Sequence, residues 1–138
     1  MSNTIAPFGL HLMLEVYNCP ENVLNDANIA YKVLDELPEK IGMHKLTLPY
    51  VVHAEGNDTK DPGGWSGVVL IQESHIALHT FAKRGFVTID VYSCNKFDTD
   101  LTLEYFRNVF QSEDIEYKIE TRGERYPTEN IHKTDISE

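Results

Sequence analysis

The chain has 138 residues, 41% of them hydrophobic and 25% charged, with a formal net charge of −10. That length fits one domain, residues 1–138, able to bury roughly two thirds of its unfolded surface without a disulfide framework or a structural metal. No apolar run approaches the ~18 residues of a membrane span, and the acidic balance repels the phosphates of nucleic acid. The opening MSNTIAPFG has neither the basic nor the apolar region of a signal peptide, so a cytoplasmic location is expected. Two cysteines, Cys19 and Cys94, make no disulfide framework. A negative field concentrates small cations, so a small cationic substrate is the expected partner.

Gly9 to Asn18 alternates, with Leu10, Leu12, Leu14 and Val16 on one face, and predicts a strand with one core side. Pro20 suits a first helical turn, and Leu24, Ala27, Tyr31 and Leu34 recur at helical spacing until Pro38 ends or kinks the helix. His44 to Ala54 predicts a second strand, with Pro49 marking an edge or a bulge. Glu55 to Gly64 is a polar loop by composition. Val68–Ile71, Ile76–Thr80 and Phe86–Ser93 are three further strands. Asp98 to Ser112 is a second helix, capped by Asp98 or Asp100, with Leu101, Tyr105 and Val109 as its stripe. Ile115 to Glu120 is the last strand, and the tail after Gly123 is polar and loosely ordered. Short links between consecutive strands imply antiparallel pairing. The expected architecture is α+β, a two-layer sandwich of a mostly antiparallel sheet with two helices on one face. Self-association is the simplest cover for the other face.

Ser66 to Cys94 holds the chemistry. A serine hydroxyl beside a base attacks a carbonyl. If Ser74 attacks the carbonyl of Glu73, the amide becomes an ester. Elimination across Ser74 then breaks the chain and leaves dehydroalanine, and hydrolysis yields a pyruvoyl group. Such a ketone forms a Schiff base with an amine and takes up the electrons freed when CO2 leaves. A Ser–His pair alone is also what a core strand with a serine looks like. His75 and His79, four residues and about 13 Å apart on a strand, are too far apart to share a metal, so no metal site is expected. His11, His44, His53 and His132 carry no motif of their own.

Residues 9 to about 125 resemble the prokaryotic S-adenosylmethionine decarboxylase family. The segments that carry the resemblance are Gly9-Leu-His-Leu with Glu15 and Tyr17; Ser66-Gly-Val-Val-Leu; Glu73-Ser-His-Ile; His79-Thr; Asp90-Val-Tyr-Ser-Cys94; and Arg122-Gly. The resemblance implies self-cleavage between Glu73 and Ser74, giving a β chain (1–73) and an α chain (74–138). It implies that Ser74 becomes the covalent pyruvoyl cofactor, that Ser66 and His79 assist processing, and that Cys94 returns a proton to the substrate carbon. It also implies a homodimer of such protomers with sites near the interface, and a place in polyamine and spermidine biosynthesis. A thiol shifted toward neutrality can serve as that acid, although a strand cysteine is by default a packing residue.

The departures concern substrate. Where the family has a ribose-binding glutamate, four residues after His79, this chain has Lys83. Where the family often has an adenine-stacking phenylalanine stands Lys60. Trp-Pro-Glu-Tyr-Gly is replaced by Phe81-Ala-Lys-Arg-Gly85, and an acid near the first strand end is replaced by Asn18. A cation at Lys83 reverses an acceptor and repels a sulfonium. The expectation is therefore a pyruvoyl-dependent decarboxylase of a basic amino acid, L-arginine or L-ornithine, with S-adenosylmethionine as the alternative substrate and a non-catalytic binding relative as a third reading. Lys83, Phe81 and Glu15 are placed against the substrate, and Glu55, Asp58 and Asp61 are candidates to receive its cationic end.

Overall fold

The computed structural model describes residues 7–57, 60 and 62–127. Asp58, Asp61, His132 and most of the polar tail lie outside the described residues. Six strands form one antiparallel sheet in the order β2-β3-β4-β5-β1-β6. They are β1 (Gly9–Tyr17), β2 (Tyr50–Glu55), β3 (Gly63–Ile71), β4 (Ser74–Phe81), β5 (Phe86–Ser93) and β6 (Asp114–Arg122). The helices are α1 (Glu21–Leu24), α2 (Ala27–Lys40) and α3 (Thr99–Phe110). This is the expected α+β sandwich, with three helices because the first predicted one is broken.

The break has a local cause. Asp26 takes an extended conformation and its carboxylate accepts from the Asn28 N–H, so α2 starts afresh at Ala27. The buried stripe becomes Ala30, Val33, Leu34 and Leu37, and Tyr31 faces outward. Pro38 does not end α2; it sits in the last turn and the helix runs on to Lys40. The second strand begins at Tyr50 rather than His44, and before it only an isolated bridge of Lys45 to Ile71 joins the sheet. β3 starts at Gly63, taking the end of the predicted loop into the sheet. Asp98 caps α3 through the Leu101 N–H. The buried side of α3 is Thr102, Leu103, Phe106 and Phe110, not the predicted Leu101 stripe; Leu101 is 47% exposed.

The core lies between the helices and one face of the sheet. Leu12, Leu14 and Val16 from β1, Val69 and Ile71 from β3, Ile76 and Leu78 from β4, and Val87, Ile89 and Val91 from β5 all face the helices and are buried. α2 approaches β3 so closely that a Cβ on Gly67 would lie 2.7 Å from Leu34 Cδ1. Alternate residues therefore line the opposite face, which no helix covers: His11, Met13, Glu15 and Tyr17; Ser66, Val68 and Leu70; His75, Ala77 and His79; Thr88, Asp90 and Tyr92.

The rotated α3 stripe has a measurable consequence. Phe106→Ala is expected to lower stability by ~3–5 kcal/mol, as for other fully buried phenylalanines. Leu101→Ala is expected to change it by less than ~0.5 kcal/mol. Urea unfolding of both variants checks this, and similar losses at both positions would contradict the observed packing.

Candidate active site

β3 and β4 form a hairpin whose loop is Gln72-Glu73, since Ile71 pairs with Ser74. Two-residue hairpin loops favour positive φ because that twist matches the strands. Neither loop residue here has it; the positive φ falls instead on Ser74, at 155°. A residue with a side chain rarely adopts that angle, and holding it costs of order 1–3 kcal/mol. Strain thus sits on the residue predicted to be cut. Regular strand parity puts Ser74 on the core side, but its irregular backbone frees it from that alternation.

The preceding carbonyl is held as well. The Cys94 backbone N–H donates to the Glu73 carbonyl oxygen at 2.8 Å. A donor there polarises the carbonyl and would stabilise negative charge building on its oxygen. The turn that carries Cys94 is fixed by the buried Ser93, whose hydroxyl accepts from the Asn95 N–H at 2.9 Å. Gly9 lies against the same turn: a Cβ there would meet the Ser93 carbonyl oxygen at 2.4 Å. Cys94 is half-buried, beside Glu73, and follows the open-face residue Tyr92 by two. Cys19 differs. Burial, then the Asp114 charge, raises its thiol to about 11, so it stays protonated and packs.

Ser66 and His79 are opposite one another across the β3–β4 pair, and Ser66 Oγ lies 2.8 Å from His79 Nδ1. This is a hydroxyl on a base, on the open face. It does not reach Ser74. Five residues of strand separate His79 from Ser74, about 16 Å. Within one chain the pair is therefore too far from Ser74 to touch it. Glu15 shares the row of the pair, because Thr88 pairs with both His79 and Glu15; its carboxylate accepts from Thr88 Oγ1 at 3.0 Å. Phe81 lies at the same end, against Phe86 at 5.5 Å between ring centres. The two groups therefore lie at opposite ends of β4: Glu73, Ser74 and Cys94 at one, and Ser66, His79, Glu15 and Phe81 at the other.

Lys83 lies in a short 3-10 turn (82–84) and lines a cleft of 220 Å³ with Glu21, Asn25, His53 and Gly64. Glu21 and Asn25 belong to the helical layer, so this cleft is not the open face. Glu55 ends β2 and is exposed. Among the described residues no group of three or more His, Cys, Asp or Glu side chains is placed to hold a metal.

Two arrangements were not foreseen. His11 Nε2–H donates to Asp90 at 2.9 Å while its Nδ1 accepts from Arg122 at 3.0 Å, and the Arg122 guanidinium lies 4.4 Å over the Tyr92 ring. This network borders the Cys94 end. The sequence placed His11, Asp90, Tyr92 and Arg122 in separate matching segments with no sign that they meet. The second is a clamp on Glu73. His44 Nδ1–H donates to one carboxylate oxygen at 2.8 Å and the His44 backbone N–H to the other at 3.1 Å. Burial pushes the Glu73 carboxyl up, and these bonds more than reverse it, leaving it below the usual carboxylate range.

Comparison with known proteins adds to this geometry. Residues 10–123 match the model of the S-adenosylmethionine decarboxylase family. The chain belongs to that family. It is 31% identical over 117 residues to the S-adenosylmethionine decarboxylase proenzyme of Geobacillus kaustophilus, covering 85% of this chain and 89% of that one. It is 29% identical over 126 residues to the proenzyme of Persephonella marina, covering 91% and 86%. The fold matches the crystal structure of adenosylmethionine decarboxylase from Aquifex aeolicus with a TM-score of 0.71 at 23% identity, over 85% of this chain and 92% of that one. As a member of the family the protein is a pyruvoyl-dependent carboxy-lyase, made as a proenzyme whose cofactor comes from a serine by self-cleavage. No helix among the described residues is long and apolar enough to cross a membrane.

Strain at Ser74 is directly testable. Ser74→Gly should be more stable than Ser74→Ala by about 1 kcal/mol or more, because glycine adopts the observed φ freely. Equal midpoints in urea would show that the position is relaxed.

Proposed function

We propose that this chain cuts itself between Glu73 and Ser74 and then decarboxylates S-adenosylmethionine. The observation that carries the first half is the strained Ser74, whose preceding carbonyl is gripped by the Cys94 N–H. Ser74 Oγ adds to the Glu73 carbonyl carbon as its proton leaves to a base. Collapse breaks the C–N bond and leaves an ester with a free amine on Ser74. Loss of the Ser74 α-proton expels the Glu73 carboxylate, so the chain ends at 73 and residue 74 becomes dehydroalanine. Addition of water and release of ammonia leave the pyruvoyl group. That group supplies a ketone able to condense with the substrate amine and accept the electron pair released with CO2. Cys94, whose backbone N–H holds the Glu73 carbonyl, serves as the acid that returns a proton to the substrate carbon.

The base comes from elsewhere. Because Ser66 and His79 lie about 16 Å along the strand from their own Ser74, we assign them to the site of a second copy. A two-fold axis running across the strands, with open faces opposed, sets the Ser66–His79 end of one chain over the Ser74–Cys94 end of the other. Tyr50, Val52 and Leu70 expose apolar surface on this face, at 67%, 39% and 48%, and would be covered by such pairing. Each site then takes its nucleophile and acid from one chain, and its base and Glu15 from the other.

S-adenosylmethionine is favoured over a basic amino acid on two grounds. The family relatives described above are named for that substrate. Lys83, the residue that argued for a changed substrate, lines the helical-side cleft with Glu21 rather than the open face. Its charge is therefore not directed at a sulfonium bound there. The replacement of the family's ribose-binding acid still favours arginine or ornithine as the second reading.

Two experiments test these readings. His79→Ala is expected to stay whole, and Ser74→Ala likewise. Co-expressed, they should yield cut His79→Ala chains, because the Ser74→Ala partner provides an intact His79. Absence of fragments 1–73 and 74–138 in the mixture would rule out a base supplied by the partner. Release of CO2 measured side by side from S-adenosylmethionine, L-arginine and L-ornithine settles the substrate. Release from S-adenosylmethionine is expected, and turnover of only an amino acid would replace this reading by the second.

A further inference from the structure

Residues 41–49 leave α2 and run along the end of the β3–β4 hairpin as a strap. The strap is tied at both sides. Towards the helix, the Met43 N–H donates to the Pro38 carbonyl at 2.8 Å and Lys45 pairs with Asp35 of α2. Towards the hairpin, the Gln72 N–H donates to the His44 carbonyl and the Leu46 N–H to the Leu70 carbonyl, each at 2.8 Å. His44 is thus a fixed point beside the scissile turn. From there its ring and backbone N–H groups both donate to the Glu73 carboxylate. The Glu73 side chain is only 6% exposed, whereas that of His44 is 72% exposed.

Given cleavage at Ser74, we propose that His44 is a positioning residue for that cleavage, holding the Glu73 side chain so that the strained Glu73–Ser74 peptide cannot turn away from the Cys94 N–H. Relaxing the φ of Ser74 requires the peptide before it to rotate, which swings the Glu73 carbonyl. That carbonyl is held at one point by the Cys94 N–H, and a single hydrogen bond allows pivoting. The Glu73 carboxylate, held at two points by His44, anchors the same residue at its other end. With both ends held, the peptide keeps its orientation, and strain stays where the hydroxyl attacks. His44 touches neither reacting atom.

The test uses full-length chain made by cell-free synthesis, with the growth of fragments 1–73 and 74–138 followed by mass spectrometry. Four forms are compared: wild type, Ser74→Ala as the uncut control, His44→Ala and His44→Asn. The wild type is expected to cut and His44→Ala to cut roughly tenfold more slowly or worse, the scale of a small misplacement of reacting groups. His44→Asn should recover much of the rate, because its amide N–H can donate from near the ring Nδ1 position. Melting temperatures of the His44 variants, taken with Ser74→Ala also present, should stay close to that of Ser74→Ala alone. Wild-type cutting rates in His44→Ala would overturn the proposal, as would a slow rate that asparagine fails to rescue or that tracks lost stability. A wild-type chain that never cuts would instead defeat the cleavage reading itself, and this inference with it.

Discussion

The register of β4 between β3 and β5 determines where every reactive group lies. Ser74 pairs with Ile71 on one side and Ser93 on the other, and His79 pairs with Ser66 and Thr88. This register cannot slip, because a shift of one residue would carry Ile76 and Leu78 out of the core and put His75 and His79 into it. Strands are also stiff rulers, advancing about 3.3 Å per residue. The spacing of Ser74 from its nearest hydroxyl–imidazole pair is therefore a property of the chain, beyond correction by side-chain rotation. The well-packed core thus keeps Ser74 and the Ser66–His79 pair at opposite ends of β4.

The same rigidity explains how strain can be kept at Ser74. A hairpin loop without positive φ at its two central residues conflicts with strand twist. In a loosely packed turn the conflict would spread over several torsions. Here Ile71 and Ile76 on either side are buried, and Ser93 opposite is fully buried. The flanking backbone is pinned, so the mismatch concentrates on one residue. Buried surroundings of this kind are what allow an unfavourable torsion to persist. After the Glu73–Ser74 bond is cut, nothing obliges residue 74 to keep that torsion, so scission and relief of strain coincide.

Much of this could be read from the residues. Alternation located β1, which is buried on one side only, and β6, while β4 and β5 showed as apolar runs because alternate residues of each enter the core. The helices were found but their faces were misjudged. The first was read straight through Asp26, whose capping restarts the helical count, and the α3 stripe was read from Leu101 when Phe106 and Phe110 are the larger buried groups. The pairing of Ser66 with His79 was available as arithmetic, since a hairpin closing on Gln72-Glu73 sets 66 opposite 79 and both far from 74. Gln72-Glu73 lacks the Asn-Gly or Asp-Gly signature that would have flagged the turn. The role of His44 was not readable at all. It lies in a segment without periodicity, and its contact with Glu73 depends on where the strap passes, which tertiary packing alone decides. Lys83 shows the opposite hazard: a substitution in a matched motif reads as a change of charge in the site only if the side chain lines that site.

An enzyme built from two half-sites ties assembly to chemistry. The open face must be covered for its apolar residues to leave water, and in the proposed pairing that cover is a second copy. The event that removes Tyr50, Val52 and Leu70 from solvent then also brings a base to Ser74. It lowers the dielectric around the Glu73 carbonyl, where the Cys94 N–H is worth more than in water. Cleavage before pairing would lack both the base and the dry surroundings. A proenzyme of this design stays inert as a free protomer and acquires its cofactor only where the finished active site already exists.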